Sequence, residues 1–449
     1  FNIYGIMRRE TMTRAMRIAA VALCLMTVAT SNAQVKFEKY SNISDSLATY
    51  RALRDNTPIE PAFKKVPRFA IVAGDGNFVF SAGASVKFIT TYDWGNPVTN
   101  PKSMGISAIT KRGPGDKRLF QMSAGGSGIY FNIIGFPNAA NEVGLFISLG
   151  VDNEANNTYK LNCGKVYLRW RGLLAGYAKS LYDDIDADPY TIDGYGPCAS
   201  GAHDNVTISW TQPIGKYFSA GIGAELPKSS YTAPLPLDMD PEEAKKKVAS
   251  SFQTVPDFPF FVQFNNKTGH VRLSAVWRNL HYVDYTLTNK RRSETGFGVK
   301  LSTKQTFGPV NLYGMVQYGK GIANYFKNNY GAGLDLVPAD ISEIFTEGVK
   351  LVPTRSFGLM AGAQYDINPK LFMTGMFSFL RNYTPEYILP STTNWEDQMR
   401  RGYTVNVNAI YRISSIFSAG LEYRYGRRVN ETYTSLSNNR VYAMLYMNF

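Results

Sequence analysis

The sequence predicts an all-β chain, a transmembrane antiparallel β-barrel of about sixteen strands with short periplasmic turns and long external loops. Three observations carry this. The chain ends on a strand, Val441 to Phe449, in which apolar Val441, Ala443, Leu445, Met447 and Phe449 alternate with Tyr442, Met444, Tyr446 and Asn448. Long segments upstream repeat a period of two, apolar on one parity and polar on the other. The connections between them are alternately short and long, which is the asymmetry of an outer-membrane barrel. Lipid cannot satisfy an open sheet edge, so the last strand is expected to close on the first.

In chain order, Arg14 and Arg17 precede an apolar run from Ile18 to Val28, then Thr30, Ser31, Asn32 and Ala33. A basic flank, a short apolar core and small residues predict a secretory signal cut after Ala33, with Met7, Met12 or Met16 as the start. Cys24 follows Leu23 where a lipid anchor would need a small residue, so none is read. Residues 34–76 are expected to be a periplasmic arm. Within it Gln34 to Arg68 is polar, lacks strand alternation and carries a helical stretch from Asp45 to Arg54; it reads as a plug or as a linker.

The barrel is expected over 77–449. From Asn77 to Trp94 the even positions Phe78, Phe80, Ala82, Ala84, Val86, Phe88, Thr90, Tyr92 and Trp94 form an apolar face with aromatics at both ends, opposite Ser81, Gly83, Ser85, Lys87, Thr91 and Asp93. Such a strand is about twice the usual globular length and spans a membrane with tilt. The same period appears in Tyr217 to Leu226, Phe297 to Lys304 and Phe417 to Arg428. Short connections are read at Pro137 to Asn141, Arg171 to Gly172, Pro213 to Lys216, Asn265 to Thr268, Gly308 to Pro309, Asn368 to Lys370 and Ser414 to Ser415. Long ones are read at Asn96 to Asp116, Asp152 to Thr158, Lys179 to Asp204, Pro227 to Asp257, Thr286 to Arg292, Tyr325 to Val352, Asn382 to Met399 and Val429 to Asn439. About sixteen strands leave a water channel, where about eight would be filled by side chains.

Composition agrees. No further apolar run approaches the roughly 20 residues of a membrane helix, and 29 Tyr, 27 Phe and 39 Gly suit aromatic girdles and smooth walls. The net charge of +13 becomes +10 without the signal, 44 basic against 34 acidic residues. That surplus points to anionic headgroups or anionic solutes, with no nucleic acid in view. Parity turns Lys87, Arg272, Arg278, Lys300, Lys304, Arg412 and Arg424 inward together with Asp93, Glu225, Asp284 and Glu422, a basic pore wall. Tyr159 to Arg171 carries charges on both parities, and parity fails past any β-bulge.

The connection 179–204 is acidic, with Asp183, Asp184, Asp186, Asp188 and Asp193 among Tyr182, Tyr190 and Tyr195. Folded into the lumen, it would form a constriction whose field against a basic wall orients dipolar solutes; otherwise it is a solvated surface loop. A calcium loop would need Gly at Pro189 and Glu at Tyr195, so no metal and no cofactor is expected. Cys163 and Cys198 remain after the signal, and a disulfide between them would pin the loop to the wall; sequence leaves that open. His203, His270 and His281 sit in no catalytic pattern, and no enzyme is expected.

Tyr159, Lys160, Leu161, then Gly172, Leu173, Leu174, Ala175, Gly176, then Ser180, Asp184, Pro189, Thr191, Ile192, Asp193, Gly194, Gly196 and Pro197, with Ser123 and Ala124 before them, resemble the DcaP-like porins. The resemblance covers roughly Asn77 to Leu226. It implies a trimeric outer-membrane channel with a periplasmic N-terminal segment, here Gln34 to Arg68. Gly125 and Gly128 stand where that family has arginines, so its ligand specificity does not carry over. The expectation is an outer-membrane porin, a homotrimer in outer-membrane lipid, passing small hydrophilic and mainly anionic solutes. Its terminal strand is expected to engage the outer-membrane barrel assembly machinery. The alternative is a structural or adhesive barrel with external binding loops and a lumen plugged by Gln34 to Arg68.

Overall fold

A computed structural model describes residues 36–39, 69–73, 77–137, 140–153, 158–201, 204–232, 249–286, 290–339, 348–385 and 398–448. The signal region, Asp45 to Arg54 and His203 lie outside them. The strands are β1 (Lys36–Lys39), β2 (Phe69–Ala73), β3 (Phe78–Gly95), β4 (Arg118–Ser123), β5 (Gly128–Gly135), β6 (Val143–Asn153), β7 (Tyr159–Trp170), β8 (Leu173–Lys179), β9 (Asp204–Ile214), β10 (Phe218–Glu225) and β11 (Ala249–Ser251). They continue with β12 (Phe258–Asn265), β13 (Gly269–Asp284), β14 (Lys290–Phe307), β15 (Val310–Lys320), β16 (Leu336–Pro338), β17 (Leu351–Pro353), β18 (Arg355–Asn368), β19 (Leu371–Tyr383), β20 (Met399–Arg412), β21 (Phe417–Asn430) and β22 (Ser435–Asn448).

Neighbouring strands pair antiparallel in chain order, and β22 returns to β3 with Arg440 opposite Asp93 and Asn448 opposite Ser85. Counting β4 with β5 and β11 with β12 as one stave each, the closed barrel has 16 staves. Closure removes the edges that lipid would punish. Strand pairing also reaches into the presumed arm. β2 pairs with Phe78–Ala82 of β3, on the edge that β22 vacates at Ser85, and β1 pairs with β2. The reading of Gln34 to Arg68 as free of strands therefore misses Lys36–Lys39. The reading of Val429 to Asn439 as a long loop is also corrected: β21 runs to Asn430 and β22 starts at Ser435. Polar Ser and Asn masked a strand there whose inner parity carries Leu436, Asn438 and Arg440, all buried.

The outer face is apolar, with Phe88, Tyr92, Trp94, Val206, Ile222, Leu273, Leu301, Leu421 and Leu445 exposed to the lipid side. Aromatic contacts gather toward its rims, as between Trp94 and Tyr423 at one end and Phe218 and Phe264 at the other. Parity holds along most strands and breaks at three irregularities: near Asp366 and Asn368 in β18, between Met399 and Arg401 in β20, where Met399 is buried on the parity that faces outward from Arg401 on, and in β7, where the register shifts between Cys163 and Lys165. Leu161 and Cys163 are exposed before the shift and Val166 and Leu168 after it, so outward parity changes from odd to even at Gly164. The bulge accounts for charges on both parities of that segment.

One glycine is required by backbone geometry. Gly176 of β8 has φ +140°, and a Cβ there would meet the Val166 carbonyl and lie 2.6 Å from Tyr167 Cα. Gly176→Ala is expected to cost at least about 1–3 kcal/mol from backbone strain alone. The measurement is the denaturant midpoint of the folded barrel band on a semi-native gel, and an unchanged midpoint would refute the argument.

Candidate functional site in the barrel lumen

The acidic connection leaves β8 at Lys179 and folds inside the barrel. Tyr182, Ala187, Ile192, Asp193, Cys198 and Ala199 are all buried. Apolar residues seat it. Ile192 packs with Ile89, Phe372, Ile410, Tyr442 and Met444 from the inner faces of β3, β19, β20 and β22. Carboxylates then fasten it to cations of the wall. Asp183 accepts from Lys300 Nζ at 2.6 Å, and Asp193 Oδ1 lies 3.3 Å from Arg424 Nη1. Asp184 meets His270 Nε2 at 2.8 Å and accepts from Ser302 Oγ at 2.6 Å. Glu422 receives the backbone N–H of Ile192 at 2.7 Å.

Burial works to raise Asp184, Asp188 and Asp193, and partners decide which of the three it does raise. Hydrogen bonds from His270 and Ser302 hold Asp184 below the ordinary range despite burial. Asp193 is held low against its burial by Arg424, by the Tyr442 hydroxyl and by the Met104 N–H. Asp188 has neither a hydrogen bond nor an ion pair to its carboxylate among the described residues, and burial pushes it up to about 7.

Two other long connections enter the barrel, which sequence reasoning missed. Val98, Met104, Ile106 and Ile109 from 96–117, with Ile322, Tyr325 and Phe326 from 321–354, form one buried cluster with Cys198, Val276, Leu380 and Leu436. A signal was present: Ile89, Val276, Phe372, Leu380 and Ile410 are apolar on the inward parity. A water-filled wall has no use for them, and an in-folded loop does.

The eleven residues expected to line the pore all face inward; Asp284, at the end of β13, accepts from the Thr286 N–H at 2.9 Å, and the structure divides the other ten into two groups. Arg278 donates to the Gly321 carbonyl at 2.6 Å and the Lys228 carbonyl at 2.7 Å, and pairs with Asp257 and Asp335. Arg424 donates to the Gly196 carbonyl at 2.9 Å, and Arg272 to that of Leu181. Arg440, missed by parity reading, pairs with Asp93 and donates to the Asn100 carbonyl at 2.6 Å. These arginines clamp loops. Glu225 accepts from the Leu181 N–H at 2.7 Å and Ser180 Oγ at 2.8 Å, and so belongs with them, as do Asp93 and Glu422.

The second group borders a cavity of about 730 Å³ beside the acidic loop. Its cations are Lys87, Lys179, Lys300, Lys304, Lys327 and Arg412, and its carboxylates Asp183, Asp184, Asp188, Asp193 and Asp366. It reaches from Asn368 and Pro369 at the short-turn end to Lys179 and Lys327 on the long-loop side. Of the constriction residues, Asp186 is exposed.

The disulfide does not form. Cys163 is exposed on the outer face of β7, whereas Cys198 is buried in the lumen with its thiol 3.2 Å from the Ser378 carbonyl. The bulge at Gly164 leaves Cys163 on the outward parity, and the wall separates the two. Burial also pushes the Cys198 thiol up. In proteoliposomes a membrane-impermeant maleimide is expected to label neither cysteine and a lipid-soluble one Cys163 alone; mobility on gels is expected not to change on reduction.

No family model matches the sequence, and no curated protein does. Solved structures do. The outer membrane channel DcaP of Acinetobacter baumannii superposes with a TM-score of 0.67 at 16% identity, over 84% of this chain and 99% of that one. The anion-selective porin from Comamonas acidovorans gives 0.50 at 11% identity, over 83% and 100%. OmpT, an outer membrane protein of Vibrio cholerae, gives 0.50 at 8% identity, over 84% and 99%. At these identities the likeness speaks for architecture: sixteen staves, an apolar outer face and a polar inner one give this chain a DcaP-like porin fold.

Proposed function

We propose that the chain is an outer-membrane porin through which small hydrophilic solutes diffuse, with a preference for anions. The observation that carries this is the polar cavity running along the inner wall beside the in-folded loop, bordered by six cations and five carboxylates. Pairing leaves the cations in excess: Asp183 with Lys300 removes one charge of each sign, and Asp193 is paired with Arg424, which does not border the cavity. The fold it shares with outer-membrane channels supports export, residence in outer-membrane lipid and assembly as a homotrimer. The segment from Met7, Met12 or Met16 to Ala33 serves as the signal, and the terminal strand as the element the barrel assembly machinery engages. The deciding experiment is single-channel current in a planar bilayer, with the reversal potential across a salt gradient. Stepwise conductance with anion preference is expected; silence would sink the reading.

A second reading has its own observation. Two further loops bury apolar side chains in the long-loop half of the lumen, which is what a closed structural or adhesive barrel would need. Silent bilayers, including after deletion of Gln34 to Arg68, would favour it.

A further inference from the structure

We propose that the cavity beside the loop is a station for small zwitterions such as free α-amino acids, which place an ammonium at Asp188 and a carboxylate at Lys327 and Lys179. This rests on the porin reading and gives it a solute class.

The argument is a charge balance over the cavity wall. Lys300 is committed to Asp183 at 2.6 Å with its ammonium over the Tyr182 ring, and Asp188 draws on the same lysine without touching it. Two carboxylates share one ammonium, which leaves a negative charge over. Asp184 is engaged with His270 and Ser302, close to Arg272, and so offers no relief. On the other side, among the described residues Lys327 donates only to the Gly194 carbonyl at 2.7 Å, and it lies against the Tyr195 ring. Lys179, close enough to repel it, reaches Asp204 only at 3.8 Å. Arg424 adds to that repulsion, and Asp193, which offsets it, is already shared with Arg424. A positive charge is left over there.

Asp188 and Lys327 both border the cavity and feel one another's charge, each partly offsetting the other, but no ion pair joins them. Each shifts toward its neutral form, Asp188 up to about 7 and Lys327 down to about 8, as expected of half-buried charges without sufficient partners. An occupant with an ammonium and a carboxylate on one carbon satisfies both; a simple anion satisfies one and is repelled by the other.

The test uses three solutes of one shape: L-alanine, the anion lactate and neutral lactamide. Their efflux from proteoliposomes is measured for the full-length protein and for Asp188→Asn and Lys327→Gln. The ratio of alanine to lactamide efflux is expected to fall about fivefold in each variant while lactamide efflux itself stays within about twofold. Lactate should separate the two, passing faster through D188N and more slowly through K327Q. An alanine ratio that is the same in all three proteins overturns the zwitterion station and leaves the porin standing. No lactamide efflux from the unmodified protein overturns both. Should D188N fail to assemble, K327Q alone still decides, because its unchanged alanine ratio would refute the carboxylate half of the station.

Discussion

Asp193→Ala is expected to detach the in-folded loop, lowering the unfolding midpoint of the barrel and raising its single-channel conductance. One carboxylate there joins four pieces of the chain. Its oxygens accept from Met104 N at 2.6 Å, from Tyr195 N at 2.8 Å, from Gly196 N at 3.1 Å and from the Tyr442 hydroxyl, and Arg424 lies at 3.3 Å. Arg424 is fully buried, with Nε and Nη2 already unpartnered, and would keep only the Gly196 carbonyl and Asn406 Oδ1. Breaking a buried pair by removing one partner costs about 3–5 kcal/mol, because the remaining charge stays desolvated. Asp193→Asn keeps two acceptor lone pairs and should lose less. The apolar seat of Ile192 resists release, so the loop is expected to fluctuate rather than leave, giving noisy conductance about twofold higher. Unchanged conductance together with an unchanged midpoint would mean that the apolar contacts alone hold the loop.

The fold was far more legible in the sequence than the site. A strand such as Phe78–Gly95 reports its two faces directly, because lipid on one side and lumen on the other impose opposite chemistry on alternate residues. The short turns were legible for the same reason, as breaks in that alternation. What parity cannot supply is the partner of an inward side chain. Lys300 and Arg278 look alike as inward cations, yet one borders the cavity and the other lies wholly beneath loop carbonyls. The difference comes from loops distant in sequence, 227–257 and 321–354, whose paths no local pattern encodes. The inward Ile89 and Phe372 were the readable hint that something packs against the wall. At Gly164 one extra residue reverses the parity, and the change from Cys163 to Val166 as outward residues shows how a single bulge misdirects every later assignment in its strand.

Raising the pH from 5 to 9 is expected to move the reversal potential steadily toward cation preference, in two stages with different residues behind them. Asp188 has its carboxyl raised to about 7, chiefly by burial and then by Asp183 and Asp184, with Lys300 and Lys327 opposing. It is therefore largely neutral at pH 5 and gains a negative charge through neutrality. Lys327 is lowered to about 8, chiefly by burial and then by Lys179, so it loses a positive charge at the alkaline end. Both changes subtract positive potential from the same cavity, and they add rather than cancel. Stability follows the same sign for Asp188. A carboxyl raised in the folded state binds protons that the unfolded chain has released, so its stabilisation is complete below about pH 4 and lost as pH rises to about 7. At about 1.4 kcal/mol per pKa unit this amounts to at most about 4 kcal/mol, less to the extent that water reaches the group. For Lys327 the lowered value means that folding disfavours its charge, so its penalty is relieved as pH rises past 8 toward 10. Bilayer recordings at pH 5, 7.5 and 9 separate the stages: Asp188→Asn should remove the first shift and keep the second, and Lys327→Gln the reverse. A reversal potential that is flat with pH in the unmodified protein would place the selectivity of the passage elsewhere, at Lys304, Asp366 and Arg412 near the short-turn end.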